Sequence, residues 1–216
     1  MKISVTRSVL DSNDQQAIAN QRRLGELRLT AVNILASPGA GKTSCITKLL
    51  QGIPTSYRVG VIEGDVASSI DTDKILSLGF PATQINTHGG CHLDAGMIRD
   101  ALTMLDLTGP GFIFVENIGN LICPAEFHLG EHLRVVIASV PEGDDKPIKY
   151  PGIFRSADAV ILNKTDLLGL VEFERERFDA GVRAVNQTAP IFPVSCRKAE
   201  GVAAVVDWLL AHSHSE

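Results

Sequence analysis

Lys42 and Thr43 close the run ASPGAGKT (36–43), which follows an apolar stretch and precedes a segment of helical period. A glycine-rich turn between strand and helix aims successive backbone N–H groups at an anion. A lysine in this place reaches β and γ phosphates, and the hydroxyl after it ligates Mg²⁺. Pro38, Gly39, Ala40, Gly41, Lys42, Thr43 and Ser44 are therefore the candidate phosphate-binding residues. The strict pattern has Gly where Ala36 stands, but Gly39 and Gly41 remain in the turn, so little effect is expected. A glycine-rich turn without ligand is the bland alternative, and it has no need of a correctly placed Lys-Thr pair.

A second motif, Asn163-Lys164-Thr165-Asp166, ends the apolar run AVILNK. The Asp166 carboxylate can accept from both N1–H and the 2-amino group of guanine; adenine offers neither and leaves it unpaired. The Lys164 stem can lie over the base, and Asn163 can tie the loop to neighbouring backbone. Ser195, Cys196 and Arg197 close the next apolar run, where a second base-contacting loop belongs. A solvated turn is the alternative here, and a kinase using ATP is a rival that Asn163 and Asp166 speak against. Two further runs end in acids, VIEGD at Asp65 and FIFVE at Glu116. Mg²⁺ in nucleotide hydrolases is held by the loop hydroxyl, phosphate oxygens and strand-end carboxylates. Thr43 and Asp65 are assigned to that shell, and Lys42, Asp65 and Glu116 to catalysis. Glu116 either makes a water-mediated contact to the metal or positions the attacking water.

Cys91 and His92 sit in GGCH between a strand and a helix, and Cys123 lies just past the Glu116 strand. Both segments leave carboxyl ends of strands, so topology can bring the three side chains together. Two thiolates and an imidazole suit Zn²⁺ or Ni²⁺ and leave one position for water, Asp94 or a residue of a second subunit. Packing is the competing reading for a Cys-His pair and a distant Cys. His88, His128 and His132, each alone, read as surface residues, and Cys45 as core packing.

These residues need a scaffold that gathers strand ends on one edge. Seven apolar runs rich in Val and Ile (AVNILAS, YRVGVIEGD, ATQINTH, GFIFVENIG, LRVVIASV, AVILNK, PIFPVSC) alternate with helical segments near 42–51, 68–79, 92–107, 173–187 and 201–213. Runs apolar on both faces and separated by helices imply an α/β, doubly wound, mostly parallel sheet with helices on both faces. A leader at 1–30, helical over 12–28 and capped by Ser12 or Asn13, precedes a nucleotide-binding domain at 31–216. The stretch 141–156 reads as a long loop with one helical turn, and the tail with His212 and His214 as a frayed end. At 216 residues one domain is expected. A formal charge of −5 without a Lys/Arg block argues against nucleic acid or an anionic membrane as partner. No signal-peptide or membrane-spanning run is present, and four dispersed cysteines do not make a disulfide framework, so a cytoplasmic protein is expected.

From about residue 33 to 208, the segments SPGAGKT, VIEGD, NTHGGCHLDA, ENIGNLICPAEFHLGE, EGDDKPIKYP and LNKTDLL and the loop 195–201 resemble the HypB family, the nickel-incorporation GTPases of hydrogenase maturation. The urease accessory GTPases, UreG, are a cousin class, but the Cys-Pro-His motif expected of them is missing here. The resemblance implies a P-loop NTPase of the SIMIBI-type G domain that hydrolyses GTP slowly to GDP with Mg²⁺. It implies a homodimer, dependent on nucleotide and metal, with Ni²⁺ or Zn²⁺ on Cys91, His92 and Cys123. A second nickel accessory protein and a hydrogenase large subunit would be its partners. A zinc-stabilised scaffold dimer and a urease accessory GTPase remain the alternatives. Many family members begin with a cysteine-containing nickel motif and a histidine-rich store; no Cys or His precedes Cys45, so storage is not expected. Lys146 and Lys149 either reach a partner subunit's nucleotide or are solvated loop charges.

Overall fold

The computed structural model describes residues 5–65 and 70–213. Among the described residues seven strands form one all-parallel sheet: β1 (Leu29–Ala36), β2 (Arg58–Asp65), β3 (Ala82–Asn86), β4 (Gly111–Glu116), β5 (Leu133–Ser139), β6 (Ala159–Asn163) and β7 (Ile191–Pro193). Their order is β3-β2-β4-β1-β5-β6-β7. Every residue of β1, β4, β5 and β6 is buried, as strands covered on both faces require. The order reverses about β1, and β1 runs straight into the phosphate loop, so that loop sits at the switch point where open α/β sheets bind ligands.

Strand alternation sends Phe112 and Phe114 of β4 to one face, against α2 (Lys42–Gly52) and α8 (Val202–Ala211). Ile113 and Val115 point to the other, against α1 (Val5–Glu26) and α4 (Ala95–Leu102). Further along that second face, Val136 and Val160 pack on α6 (Pro151–Arg155) and α7 (Arg175–Val185). The helix expected at 68–79 is α3 (Ile70–Ser77); residues 68–69 lie outside the described residues, as does His214. Among the described residues no helix is long and apolar enough to cross a membrane.

Three local readings change. Asn13 is no cap: α1 begins earlier, and Asn13 points inward, accepting from Ala95 N at 2.9 Å and donating to the His128 carbonyl at 2.8 Å. The helix expected over 92–107 is only α4, because Asp94 caps it by accepting from Met97 N at 2.8 Å and so keeps Cys91 and His92 in the preceding loop. The 141–156 loop holds two short helices, α5 (Lys146–Lys149) and α6, with Pro147 and Pro151 in their first turns, where a missing N–H costs nothing.

Candidate nucleotide and metal site

The phosphate loop turns through Gly39 and Gly41, both at positive φ. A Cβ on Gly41 would stand 2.6 Å from Asn163 Nδ2, so only glycine lets the base-reading motif come this close. Asn163 donates to the Ala40 carbonyl at 3.0 Å and accepts from Cys196 N at 3.3 Å, joining three loops through one buried amide. Lys164, in the left-handed region, donates to the Gly39 carbonyl at 2.6 Å. Its ammonium thus locks phosphate loop to base loop, a task the sequence did not suggest. Asp166 accepts from the Ser195 hydroxyl at 2.6 Å, and that hydrogen bond holds its carboxyl below the usual range. A cavity of about 470 Å³ is lined by Gly41, Ser44, Asn163, Lys164, Asp166, Cys196 and Arg197. Thr47, Lys48, Lys74 and Leu167 share the lining and were missed. Pro38 and Gly39 are exposed at the loop's tip.

Lys42 opens α2, and Thr43 Oγ1 donates to Glu116 Oε1 at 3.0 Å. Asp65 ends β2, but its side chain lies outside the described residues. The neighbouring Glu63, passed over in the sequence, pairs in register with Glu116 across β2 and β4. Strand alternation was the available signal: Glu63 shares with Val61 the face of β2 that packs towards α2. Glu63 Oε1 and Glu116 Oε2 are buried without a partner. Burial, then the Glu116 charge and a hydrogen bond to Glu116, push Glu63 up to about 9, so it holds a proton at neutral pH. Burial raises Glu116 too, against the opposing pull of Lys42 and the Thr43 hydroxyl.

Glu63 titrates higher folded than unfolded, so its contribution is whole below the ordinary carboxylate value of 4.5 and is lost as pH rises towards about 9. The melting temperature of the ligand-free protein is therefore expected to carry a component that falls between those limits. Glu63→Gln, a neutral near-isostere, removes it and gains on wild type as pH rises. Parallel melting curves for the two proteins across that range would refute the assignment.

The three metal-binding candidates come together: ligand atoms of Cys91, His92 and Cys123 all lie within 4.8 Å of one another. Cys91 Sγ is 3.5 Å from His92 Nδ1. Burial lowers the His92 pKa, against the nearby Asp94 charge, which favours the neutral imidazole that a metal needs. The His92 ring stacks on Phe127 at 3.8 Å between centroids. Asn120 donates to the Cys91 carbonyl at 3.1 Å and accepts from Ile122 N at 2.9 Å, fastening the two halves of the cluster. Asp94 spends one carboxylate oxygen as the α4 cap. Of the lone histidines, His88 and His128 are exposed, whereas His132 is half-buried and its Nδ1 accepts from Ala31 N at 3.0 Å. Lys149 pairs with Asp145 at 2.6 Å, and Lys146 lies 5.4 Å over the Tyr150 ring.

An all-parallel sheet with the glycine-rich Lys-Thr loop at its switch point and the loop Asn163–Asp166 two strands away is the fold of a P-loop nucleotide-binding protein of the GTPase type. Residues 30–193 match the CobW/HypB/UreG nucleotide-binding domain. The chain is 44% identical over 207 residues to the hydrogenase maturation factor HypB of Azotobacter vinelandii, covering 96% of this chain and 68% of that protein. Its backbone is similar to the crystal structure of HypB from Helicobacter pylori in complex with nickel, with a TM-score of 0.88 at 34% identity, covering 94% of this chain and 95% of that one. HypB from Archaeoglobus fulgidus gives a TM-score of 0.86 at 37% identity, with 93% and 98% covered. The chain belongs to the HypB branch of the CobW/HypB/UreG family.

Proposed function

We propose that this chain is a Mg²⁺-dependent GTPase that carries nickel on Cys91, His92 and Cys123 for the maturation of a hydrogenase, with the bound nucleotide setting how tightly the metal is held. The observation that carries this reading is the segment 116–123, which touches the phosphate loop at one end and the thiol cluster at the other. Glu116 accepts from Thr43. A Cβ on Gly119 would stand 3.1 Å from Pro38 N, so the segment lies against the phosphate loop with no room to spare. Asn117 accepts from Leu93 N at 3.4 Å and from Ile118 N at 2.9 Å, and donates to Asn33 Oδ1 at 3.2 Å. A shift at the γ phosphate thus moves the backbone beside His92 through one buried amide.

The buried, unpartnered Glu116 Oε2, on the carboxyl that accepts from the Thr43 hydroxyl, suits a divalent cation, which would neutralise charge developing on the phosphates. Thr43, Glu116 and Asp65 would hold Mg²⁺; Lys42 would hold the β and γ phosphates. Hydrolysis to GDP then releases whatever order the γ phosphate imposes on 116–123. Two thiolates and an imidazole suit Ni²⁺ or Zn²⁺ and leave a position open. Cys91 is exposed, and Ile122, next to Cys123, is 65% exposed, so the cluster faces outward where a second copy can complete it and bury that side chain. A second nickel accessory protein and a hydrogenase large subunit as client are the partners that this reading implies.

Coupling of this kind is reciprocal and is typically worth about 5- to 150-fold in affinity. Ni²⁺ titrated against protein loaded with GDP and with a non-hydrolysable GTP analogue should give affinities that differ within that range. Asn117→Ala should bring the two affinities together while each ligand still binds. Equal affinities in the wild type would sink the coupling, and phosphate release from ATP as fast as from GTP would sink the guanine assignment.

A further inference from the structure

Cys45 and Cys196 lie outside the metal cluster, yet their sulfurs are 3.0 Å apart across 151 residues of sequence. Both are free thiols, 2% and 8% exposed. Cys45 sits in the first turns of α2, its N–H donating to the Gly41 carbonyl at 2.9 Å. Cys196 belongs to the base loop, where its N–H donates to Asn163 Oδ1 and its side chain lines the nucleotide cavity. We propose that Cys45 and Cys196 are a site of reversible oxidation that closes to a disulfide when the guanine pocket holds no nucleotide, and that closure weakens nucleotide binding. The proposal rests on the guanine reading of that pocket.

The chemistry balances with a hydroperoxide as the named oxidant. Cys196 sulfur, giving up its proton to the departing oxygen, attacks the peroxide; the O–O bond breaks, leaving a sulfenic acid and an alcohol, or water from hydrogen peroxide. Cys45 sulfur then attacks the sulfenic sulfur, the S–S bond forms, the S–O bond breaks, and the hydroxyl leaves as water with the Cys45 proton. Two thiols lose two electrons in all, and the peroxide gains them. The cavity decides which sulfur reacts first, because Cys196 lines it and Cys45 lies behind. The Cys45 hydrogen bond also lowers the Cys196 pKa, which favours the thiolate.

A disulfide holds its sulfurs about 2.05 Å apart, roughly 1 Å closer than here, and holds the torsion about the bond near a right angle. The base loop is the side that gives, since α2 is fixed by its own ladder and by the core. Its Cys196 N–H already reaches Asn163 at 3.3 Å, and Asn163 carries the contact to Ala40. Losing such a buried hydrogen bond and displacing the loop should cost about tenfold in nucleotide affinity. A bound base covers the Cys196 wall and should slow the oxidation.

The test treats the full chain with hydrogen peroxide, with and without GDP, then blocks remaining thiols, maps cysteine peptides by mass spectrometry and titrates GDP before and after dithiothreitol. Expected are a Cys45–Cys196 cross-linked peptide about 2 Da lighter than the sum of its thiol forms, its suppression by GDP, and an affinity loss that dithiothreitol reverses. Cys45→Ala should bind GDP like reduced wild type and lose the peroxide effect, although Cys91 and Cys123 remain. The wild-type peptide map stands even if that variant folds poorly. Free Cys45 and Cys196 after peroxide has consumed Cys91 and Cys123 would overturn the proposal, as would cross-linking at the same rate with GDP bound or an unchanged affinity of the cross-linked protein. Reduced protein that binds no GDP would sink the pocket reading and this proposal with it; reduced protein that binds GDP normally confines any failure to the thiol pair.

Discussion

Asp166→Ala should reduce the affinity for GDP and GTP by about 100- to 1,000-fold, the range for removing a charged acceptor from two hydrogen bonds in a buried contact. The carboxylate is held in place before any base arrives, with Ser195 Oγ donating at 2.6 Å and Lys198 N donating in turn to Ser195 Oγ at 3.2 Å. Much of the ordering cost is therefore met in the free protein, and the second oxygen stays free for the base. Asp166→Asn separates charge from shape. Its amide cannot accept from both N1–H and the 2-amino group of guanine, yet it can donate to the 2-carbonyl of xanthine. That variant should lose GDP and gain xanthosine diphosphate, as competition against a fluorescent guanine nucleotide would read out. The Ser195 hydrogen bond lowers the Asp166 pKa, so the acceptor survives to lower pH than a free aspartate, and GDP affinity should stay flat through the ordinary carboxylate titration. Comparable affinity of Asp166→Ala for GDP would remove this residue from the base site.

The sheet was legible because each strand is a contiguous apolar run, and the candidate nucleotide edge because each loop proposed for phosphate or base is one short stretch. The GKT turn and the Asn163-Lys164-Thr165-Asp166 turn carry their own geometry in three or four neighbouring residues. Glu63 was harder to see. A protonated acid inside a strand looks like any strand residue until its register partner, Glu116, is known. Asn13 misled for a related reason: Asn ahead of an apolar helix is a good cap by type, and only the packing of α1 on α4 shows its amide already committed to Ala95 and His128. The Cys-His-Cys cluster lay between these cases. Cys91 and His92 are adjacent, but bringing Cys123 to them depends on the exact exit of two loops from neighbouring strands, which local pattern does not encode. The 141–156 region was legible only in part: Pro and Gly marked a long loop with one helical turn, where Pro147 and Pro151 stand in the first turns of two short helices.

Arg134→Ala should destabilise the fold by about 3–5 kcal/mol, because it leaves the Glu131 charge in the interior without its counter-ion. The pair is among the most enclosed charges described, with side chains 6% and 4% exposed and Arg134 Nε 2.5 Å from Glu131 Oε1. Arg134 also donates to the Ala125 carbonyl at 3.2 Å and the Phe127 carbonyl at 3.1 Å, while Glu131 accepts from Leu129 N at 2.6 Å and from Asn33 Nδ2 at 3.2 Å. The guanidinium therefore holds the chain just after Cys123 and, through Phe127, the ring stacked on His92. For a domain of this size the loss corresponds to a melting temperature lower by about 10 °C, and nickel affinity should fall with it. The pH dependence identifies the cause. In wild type burial raises the Glu131 pKa, but the Arg134 charge and hydrogen bond outweigh it and the net shift is downward. Its contribution is thus whole above the ordinary carboxylate value and is lost as pH falls through the lower folded value. Without Arg134 burial is opposed only by the weaker hydrogen bonds from backbone and from Asn33, so the folded pKa should rise and protonation should relieve the variant. The gap in melting temperature between Arg134→Ala and wild type should therefore shrink as pH falls from 7 towards 4, and Arg134→Ala/Glu131→Gln should recover part of it at pH 7. A gap that stays constant with pH would mean that Arg134 acts through packing and its two carbonyl contacts, and not through the Glu131 charge.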